Sequence, residues 1–143
     1  MFYHFEFFEE ENGYWANCIE LKGCITQADT FQELEENMKE VLDLYLDETE
    51  ILSVPLPLPE DSFLKLSNII KVSVEVKKAF ALNIKKMRLE KGFTQNELAK
   101  KLGMNNIYSY QRLESPKKAN PSLLTLNKIK KIFPELNLDM IFT

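Results

Sequence analysis

The sequence predicts an α+β protein, in which an acidic β-β-β-α-β half (residues 1–74) precedes a basic half of five helices (residues 75–143). The spacing of apolar residues changes from strand-like to helix-like after Ala28, which marks the first β-to-α transition. The charge is divided unequally: residues 1–74 carry 4 lysines against 16 acidic residues, whereas residues 75–143 carry 14 basic against 6 acidic residues. We therefore expect two domains whose partners carry opposite charges.

Three strands are predicted at the start of the chain. They are "FYHFEFF" (2–8), "YWANCIEL" (14–21) and "CITQA" (24–28), all rich in aromatic or β-branched residues. Asn12-Gly13 is a strong hairpin signal because both residues accept a positive φ at low cost. Gly23 marks a second turn. The three segments therefore supply the first three strands of a small sheet.

An amphipathic helix follows the third strand. Thr30 is a suitable N-cap, and Glu33 three residues later completes a capping-box pattern. Apolar residues then recur at helical spacing over about 16 residues; they are Phe31, Leu34, Met38, Val41, Leu42 and Tyr45. The opposite side is almost wholly acidic. After it, "PLPLP" (55–59) predicts an extended loop, and "NIIKVSVEV" (68–76) predicts a fourth strand that returns to the sheet.

The segment "NGYWANCIELKGCITQADTFQELEENMKEVLDLYL" (12–46) resembles the N-terminal domain of HicB antitoxins in the order and spacing of its elements. The resemblance implies a truncated ribonuclease-H-like fold. It also implies a partner, HicA, which is a small basic toxin with a double-stranded-RNA-binding-domain fold that cleaves mRNA using a histidine. On this basis the expected toxin-contacting residues are Glu9, Glu10, Tyr14, Trp15, Glu36, Glu40 and Asp43.

The basic half begins with a helix over 75–91 that Gly92 ends. Its predicted buried side consists of Val76, Phe80, Ile84 and Met87, or their neighbours. Thr94 and Glu97 form a capping box for a second helix, which Gly103 ends.

Three further helices complete the predicted basic half. Asn105 or Asn106 caps the third helix, whose inner side is Ile107, Tyr110 and Leu113. "NPS" (120–122) starts a fourth with proline at the first helical position and Leu123 on its apolar side. "NLDMIF" (137–142) forms a short fifth.

The motif "TQNELAKKLG…YQRLE…NPSLLTL" resembles the Cro/cI-type helix-turn-helix family. In that family the glutamine at the start of the second helix anchors a phosphate, and the start of the third helix enters the major groove. The resemblance implies DNA contacts by Gln95, Asn105, Asn106, Tyr108, Ser109, Gln111 and Arg112. One additional residue between Gly103 and Glu114 leaves the register of the third helix open by one position.

Together, the two resemblances predict a non-enzymatic antitoxin. It would neutralise a HicA-type toxin through residues 1–74 and repress its own operon by binding operator double-stranded DNA through residues 75–143. We expect a homodimer or larger oligomer, which either pairs through Leu138, Met140, Ile141 and Phe142 or uses this tail only to complete the helical core. A free-standing transcriptional regulator with an N-terminal ligand-sensing domain is the alternative.

Several other functions are disfavoured by the sequence. A ribonuclease-H-like enzyme needs carboxylates that converge on metal ions, whereas the acidic residues here are predicted to diverge into solvent. Cys18, Cys24 and the lone His4 match no metal-site or redox spacing, so no cofactor is expected. There is no signal peptide pattern and no apolar run of membrane-spanning length, which predicts a cytoplasmic protein without membrane contact.

Overall fold

The structure is a computed structural model that describes residues 1–52 and 54–142. Four antiparallel strands form one sheet in the order β3-β2-β1-β4. The strands are β1 (Phe2–Glu10), β2 (Gly13–Cys18), β3 (Ile25–Ala28) and β4 (Ile69–Ser73). The predicted α+β class and the return of a fourth strand to the sheet are confirmed.

The hairpin between β1 and β2 differs from its prediction in one detail. Glu10 pairs with Gly13, so Glu11 and Asn12 are the two turn residues. Among the described residues only glycines have a positive φ, so Asn12 does not adopt the left-handed conformation that it could accept at low cost. Gly13 is required for another reason, because a Cβ atom there would lie 2.6 Å from the carbonyl oxygen of Ala28. The third strand therefore passes too close for any side chain at position 13.

Helix α1 (Phe31–Asp47) packs on one face of the sheet through Leu34, Met38, Leu42 and Leu46, all of them buried. Thr30 caps the helix as predicted, since its side-chain oxygen accepts the N–H of Glu33. The Glu33 carboxylate accepts the N–H of Asp29 rather than that of Thr30, so only half of the capping box forms. The facing side of the sheet carries the buried Tyr3, Phe5, Ala16 and Cys18.

In the part of the chain that the structure describes, five α-helices follow β4, as predicted. They are α2 (Val76–Glu90), α3 (Gln95–Lys101), α4 (Ile107–Gln111), α5 (Leu123–Ile132) and α6 (Leu138–Phe142). A 3-10 turn at Arg112–Glu114 extends α4. Within the described ranges, no helix is both long and apolar enough to cross a membrane.

Helix α5 starts later than predicted. Ser122 is its N-cap and accepts the N–H of Thr125, which leaves Pro121 outside the helix instead of at its first position. Leu123, expected on the apolar side, is 84% exposed. Because the first turn of α5 projects beyond the core, its fully buried residue is Ile129, two turns further along.

Helix α2 is buried over almost its whole circumference between Lys78 and Lys85, although Val76 at its start is 46% exposed, which contradicts its predicted burial. Lys85 Nζ donates to the carbonyl of Thr49 at 2.7 Å. Arg88, one turn further along, contacts the 3-10 turn after α4. The helix thus touches both halves of the chain, and the domain boundary between residues 74 and 75 stays a prediction.

Candidate nucleic-acid and partner-binding surfaces

The unit formed by α3 and α4 is defined by local capping. The Glu97 N–H donates to Thr94 Oγ1 at 3.1 Å and the Thr94 N–H donates to Glu97 Oε2 at 2.9 Å, so the predicted capping box is complete. Gly103, with a φ of 72°, then turns the chain toward α4. Asn106, not Asn105, caps α4 by accepting the N–H of Ser109 at 2.9 Å. These caps determine which side chains α4 presents.

The outer side of α4 is open to solvent. Tyr108 is 73% exposed, and Ser109, Gln111 and Arg112 are also exposed. Tyr110 and Leu113 are buried on the inner side, as predicted. The four outer residues lie together on one surface, with Asn105 exposed just before the helix. Side chains of these types can form hydrogen bonds with base edges or phosphates, and contact of this surface with DNA stays a prediction.

Asn106 and Ser109 contact each other instead of projecting independently. The Asn106 side-chain oxygen accepts both the backbone N–H and the hydroxyl of Ser109, at 2.9 and 3.2 Å. The side-chain oxygen of Asn106 is therefore used for capping. The side-chain amino group of Asn106 could still donate a hydrogen bond to a base. Contact of either residue with DNA stays a prediction.

Gln95 is held between α3 and α4. Its Nε2 donates to Glu114 Oε2 at 3.0 Å, and its Oε1 accepts from Gln111 Nε2 at 3.1 Å. The side chain is half-buried. Gln95 and Gln111 therefore form one pair at the surface, oriented from below by Glu114.

Glu114 is a buried residue that sequence reasoning did not identify. It accepts hydrogen bonds from Arg88 Nη2 at 3.1 Å and from the Tyr110 hydroxyl at 2.6 Å, as well as from Gln95. Burial alone would lower the pKa of Arg88, but its hydrogen bonds to Glu114 raise that pKa above the ordinary value. Burial and the nearby Glu114 carboxylate raise the pKa of Tyr110. A signal was present, since Glu114 is the only acidic residue between Glu97 and Glu135.

Exposed lysines flank the α3–α4 unit. Lys100 and Lys101 lie at the end of α3, and Lys117 and Lys118 lie in the loop after α4. Lys101 Nζ also lies 5.1 Å from the centre of the Phe93 ring. Such cations supply the non-specific attraction to phosphates on which protein–DNA affinity depends.

In the acidic half, the predicted toxin contacts occupy different surfaces. The Tyr14 ring lies on the α1 side of the sheet against Phe31, with centroids 5.7 Å apart, and the Tyr14 hydroxyl reaches Glu9 at 3.5 Å. Glu10 and Trp15 lie on the opposite, open face, because side chains alternate along a strand. The Trp15 ring stacks on Phe8 at 4.4 Å.

The predicted contacts on α1 are divided as well. Glu36 and Glu40 are exposed on the outer surface of the helix. Asp43 contacts Lys39 and Lys78, each at 3.3 Å, so it is engaged within the chain and is not the free acidic contact that was expected. The structure therefore does not bring the seven residues into one surface.

His4 and the two cysteines are buried in the acidic half. His4 Nδ1 lies 2.6 Å from Glu20 Oε1, and Cys18 and Cys24 are free thiols. The described residues include no group of three or more histidine, cysteine, aspartate and glutamate side chains placed to hold a metal ion.

Comparison with known proteins finds relatives of both halves of the chain. A helix-turn-helix family model matches residues 84–140. A UPF0150 protein of Synechocystis sp. is 39% identical over 62 residues, which is 43% of this chain and 77% of that protein. A UPF0150 protein of Helicobacter pylori is 36% identical over 73 residues, which is 51% of this chain and 89% of that protein. Antitoxin HicB of Escherichia coli is 29% identical over 98 residues, 65% of each chain. The chain therefore belongs to the UPF0150 family, is similar to antitoxin HicB over 98 residues, and carries a helix-turn-helix domain at residues 84–140.

Proposed function

We propose that this chain is the antitoxin of a HicAB-type system, which binds a small basic HicA-type toxin through residues 1–74 and represses its own operon through α3 and α4. The observation that carries the proposal is the union of two features in one chain. An acidic HicB-type sheet and helix is joined to a helix-turn-helix whose outer α4 surface is unobstructed.

For DNA binding, α4 enters the major groove of the operator. Tyr108 and Arg112 are both exposed on it, and an arginine can donate two parallel hydrogen bonds to guanine. The Gln95–Gln111 pair lies at the entry to the groove, where the N-terminus of α3 favours a phosphate. The role of each of the seven predicted contacts belongs to this proposal.

For toxin binding, the acidic half supplies long-range attraction. Its 16 acidic residues against 4 lysines create a field that accelerates the approach of a basic protein. Association should therefore slow as salt is added. The bound toxin is inhibited because its RNA-binding surface, which must also be basic, is covered.

We further propose that the chain binds its operator as a homodimer, since paired half-sites are the usual arrangement for this motif. The predicted pairing tail is partly used by the core, because Ile141 is buried. A better candidate surface lies beside it. Leu123 and Leu124 are 84% and 76% exposed, and an apolar groove of about 290 Å³ is lined by Val76, Phe80, Leu126, Leu138 and Phe142, among others.

The test is co-expression of the full chain with the product of the adjacent gene, followed by co-purification, a growth-rescue assay and a mobility shift on the operon promoter. We expect the two proteins to co-purify, growth to be restored and the promoter fragment to be shifted. Promoter binding without capture of the adjacent gene product would instead favour a free-standing regulator. Capture without promoter binding would contradict the role in repression.

A further inference from the structure

Strand β3 is an edge of the sheet with part of its backbone unpaired. Among the strands that the structure describes, it pairs only with β2, and the Cys18 N–H donates to the Cys24 carbonyl at 2.8 Å, so residue 24 faces β2. Backbone groups alternate in direction along an antiparallel strand, which turns those of Ile25 and Gln27 outward. Asn37 Nδ2 on α1 donates to the Gln27 carbonyl at 2.9 Å. The Gln27 N–H and both backbone groups of Ile25 therefore point away from the sheet.

The surface beside this edge is partly apolar. Ile25 is 55% exposed on the open face of the sheet, next to the stacked rings of Trp15 and Phe8. A short edge strand with an exposed β-branched residue and outward amides is a template for strand addition. At the other edge of the sheet, an α1 side chain likewise reaches a strand carbonyl, since Lys39 Nζ donates to the Ser73 carbonyl of β4.

An acidic notch lies at the end of β3, next to the β1–β2 hairpin. It has a volume of about 330 Å³, and its lining includes Glu10, Asp29 and Glu33 together with the aromatic Tyr14 and Trp15. No lysine or arginine belongs to its lining among the described residues. Carboxylates beside an indole ring suit the long side chain of a lysine or arginine, which combines ion pairing with a cation–π contact.

We propose that the free edge of β3 is the docking site for an extended, basic segment of the toxin, which adds a strand to the sheet and places a lysine or arginine side chain in the notch. This inference rests on the proposed function and specifies where the toxin binds. A second copy of the chain is a poorer occupant, because its acidic half would bring a further net negative charge to the same edge. A basic extended segment complements both the outward backbone groups of β3 and the negative charge of the notch.

The test compares Gln27→Pro with Gln27→Ala in the full chain, using the product of the adjacent gene as the probe. Proline removes the outward N–H and fills the edge without removing a hydrogen bond to β2, whereas alanine removes only the side chain. We expect Gln27→Pro to weaken toxin binding by about tenfold or more relative to Gln27→Ala. Equal dissociation constants for the two folded variants would overturn the inference.

A second pair of variants keeps the inference testable if Gln27→Pro does not fold. Glu10→Lys places a positive charge in the notch, and Glu36→Lys makes the same change on the outer surface of α1. We expect the larger loss of toxin binding from Glu10→Lys, and a larger loss from Glu36→Lys would overturn docking at β3. If the unmodified chain captures no toxin at all, the proposed function itself fails. If the unmodified chain captures the toxin and the β3 variants bind it equally well, only the docking site at β3 is wrong.

Discussion

Gln95 Nε2 donates to Glu114 Oε2 at 3.0 Å, which connects a residue at the predicted DNA surface to a buried ion pair beneath it. Glu114 is also bonded to Arg88 on α2, the helix that contacts the acidic half. The position of Gln95 therefore depends on the packing of α2, and not only on its own helix.

Glu114→Ala should destabilise the protein by roughly 3–5 kcal/mol, because it leaves the buried guanidinium of Arg88 without its carboxylate. Urea denaturation measures the change. Glu135→Ala is the matched control, since Glu135 is paired with Lys91 at the surface and its removal should leave the midpoint nearly unchanged. A Glu114 variant as stable as this control would contradict the assigned role.

Arg112→Ala should weaken operator binding by roughly 1–3 kcal/mol while leaving stability unchanged, because Arg112 is exposed and makes no ion pair among the described residues. A mobility shift measures the affinity, with Lys22→Ala in the acidic half as the control. Adding Gln95→Ala should bring the loss to about 100-fold or more. The double variant should also unfold more easily, since Gln95 supports Glu114.

Lys78 should make the stability of the protein fall at alkaline pH. Burial lowers the pKa of Lys78, but pairing with Asp47 and Asp43 outweighs it and raises that pKa above 10.5. The folded state thus holds the proton more tightly than the unfolded state. The stabilisation is complete below about pH 10.5 and is lost as the pH rises through the folded-state value. The variant Lys78→Met lacks this contribution. Its free energy of unfolding, measured by denaturation from about pH 8 to about pH 12, should therefore fall less with rising pH than that of the wild type.

Replacing Leu123 and Leu124 with serine should shift a homodimer toward monomer. Both side chains are largely exposed beside the apolar groove, and burying them against a second copy would be favourable by roughly 1.5–3 kcal/mol each. Light scattering at several concentrations measures the shift. Leu44→Ser, which changes an exposed leucine on α1, is the control. A dimer that survives the double replacement would place the pairing surface elsewhere.

Much of the local structure follows from short-range sequence patterns. The Thr94–Glu97 capping box specifies where α3 begins, and Gly92 specifies where α2 ends. Both helix boundaries are found as predicted. The change from alternating to helical spacing after Ala28 locates the first β-to-α transition for the same reason. These features depend on residues only a few positions apart, so a single chain segment contains all the information.

The candidate surfaces were predictable only in part. The exposure of Tyr108 and Arg112 followed from the apolar spacing of α4, since Tyr110 and Leu113 had to face inward. The engagement of Asp43 by Lys78 did not follow, because 35 residues separate them and no local pattern pairs them. The same holds for Arg88 and Glu114, which are 26 residues apart.

The sequence by itself determined the order of elements, the charge of each half and the helix-turn-helix spacing, because these depend on periodicity and composition along the chain. The tertiary structure decided that α2 is buried on nearly all sides, that Glu114 orients Gln95, and that β3 is an edge with outward amides. Each of these depends on which distant segments meet when the apolar surfaces are buried. Hydrophobic burial is not directional, so a sequence pattern states which residues go inside but not which partners they meet there.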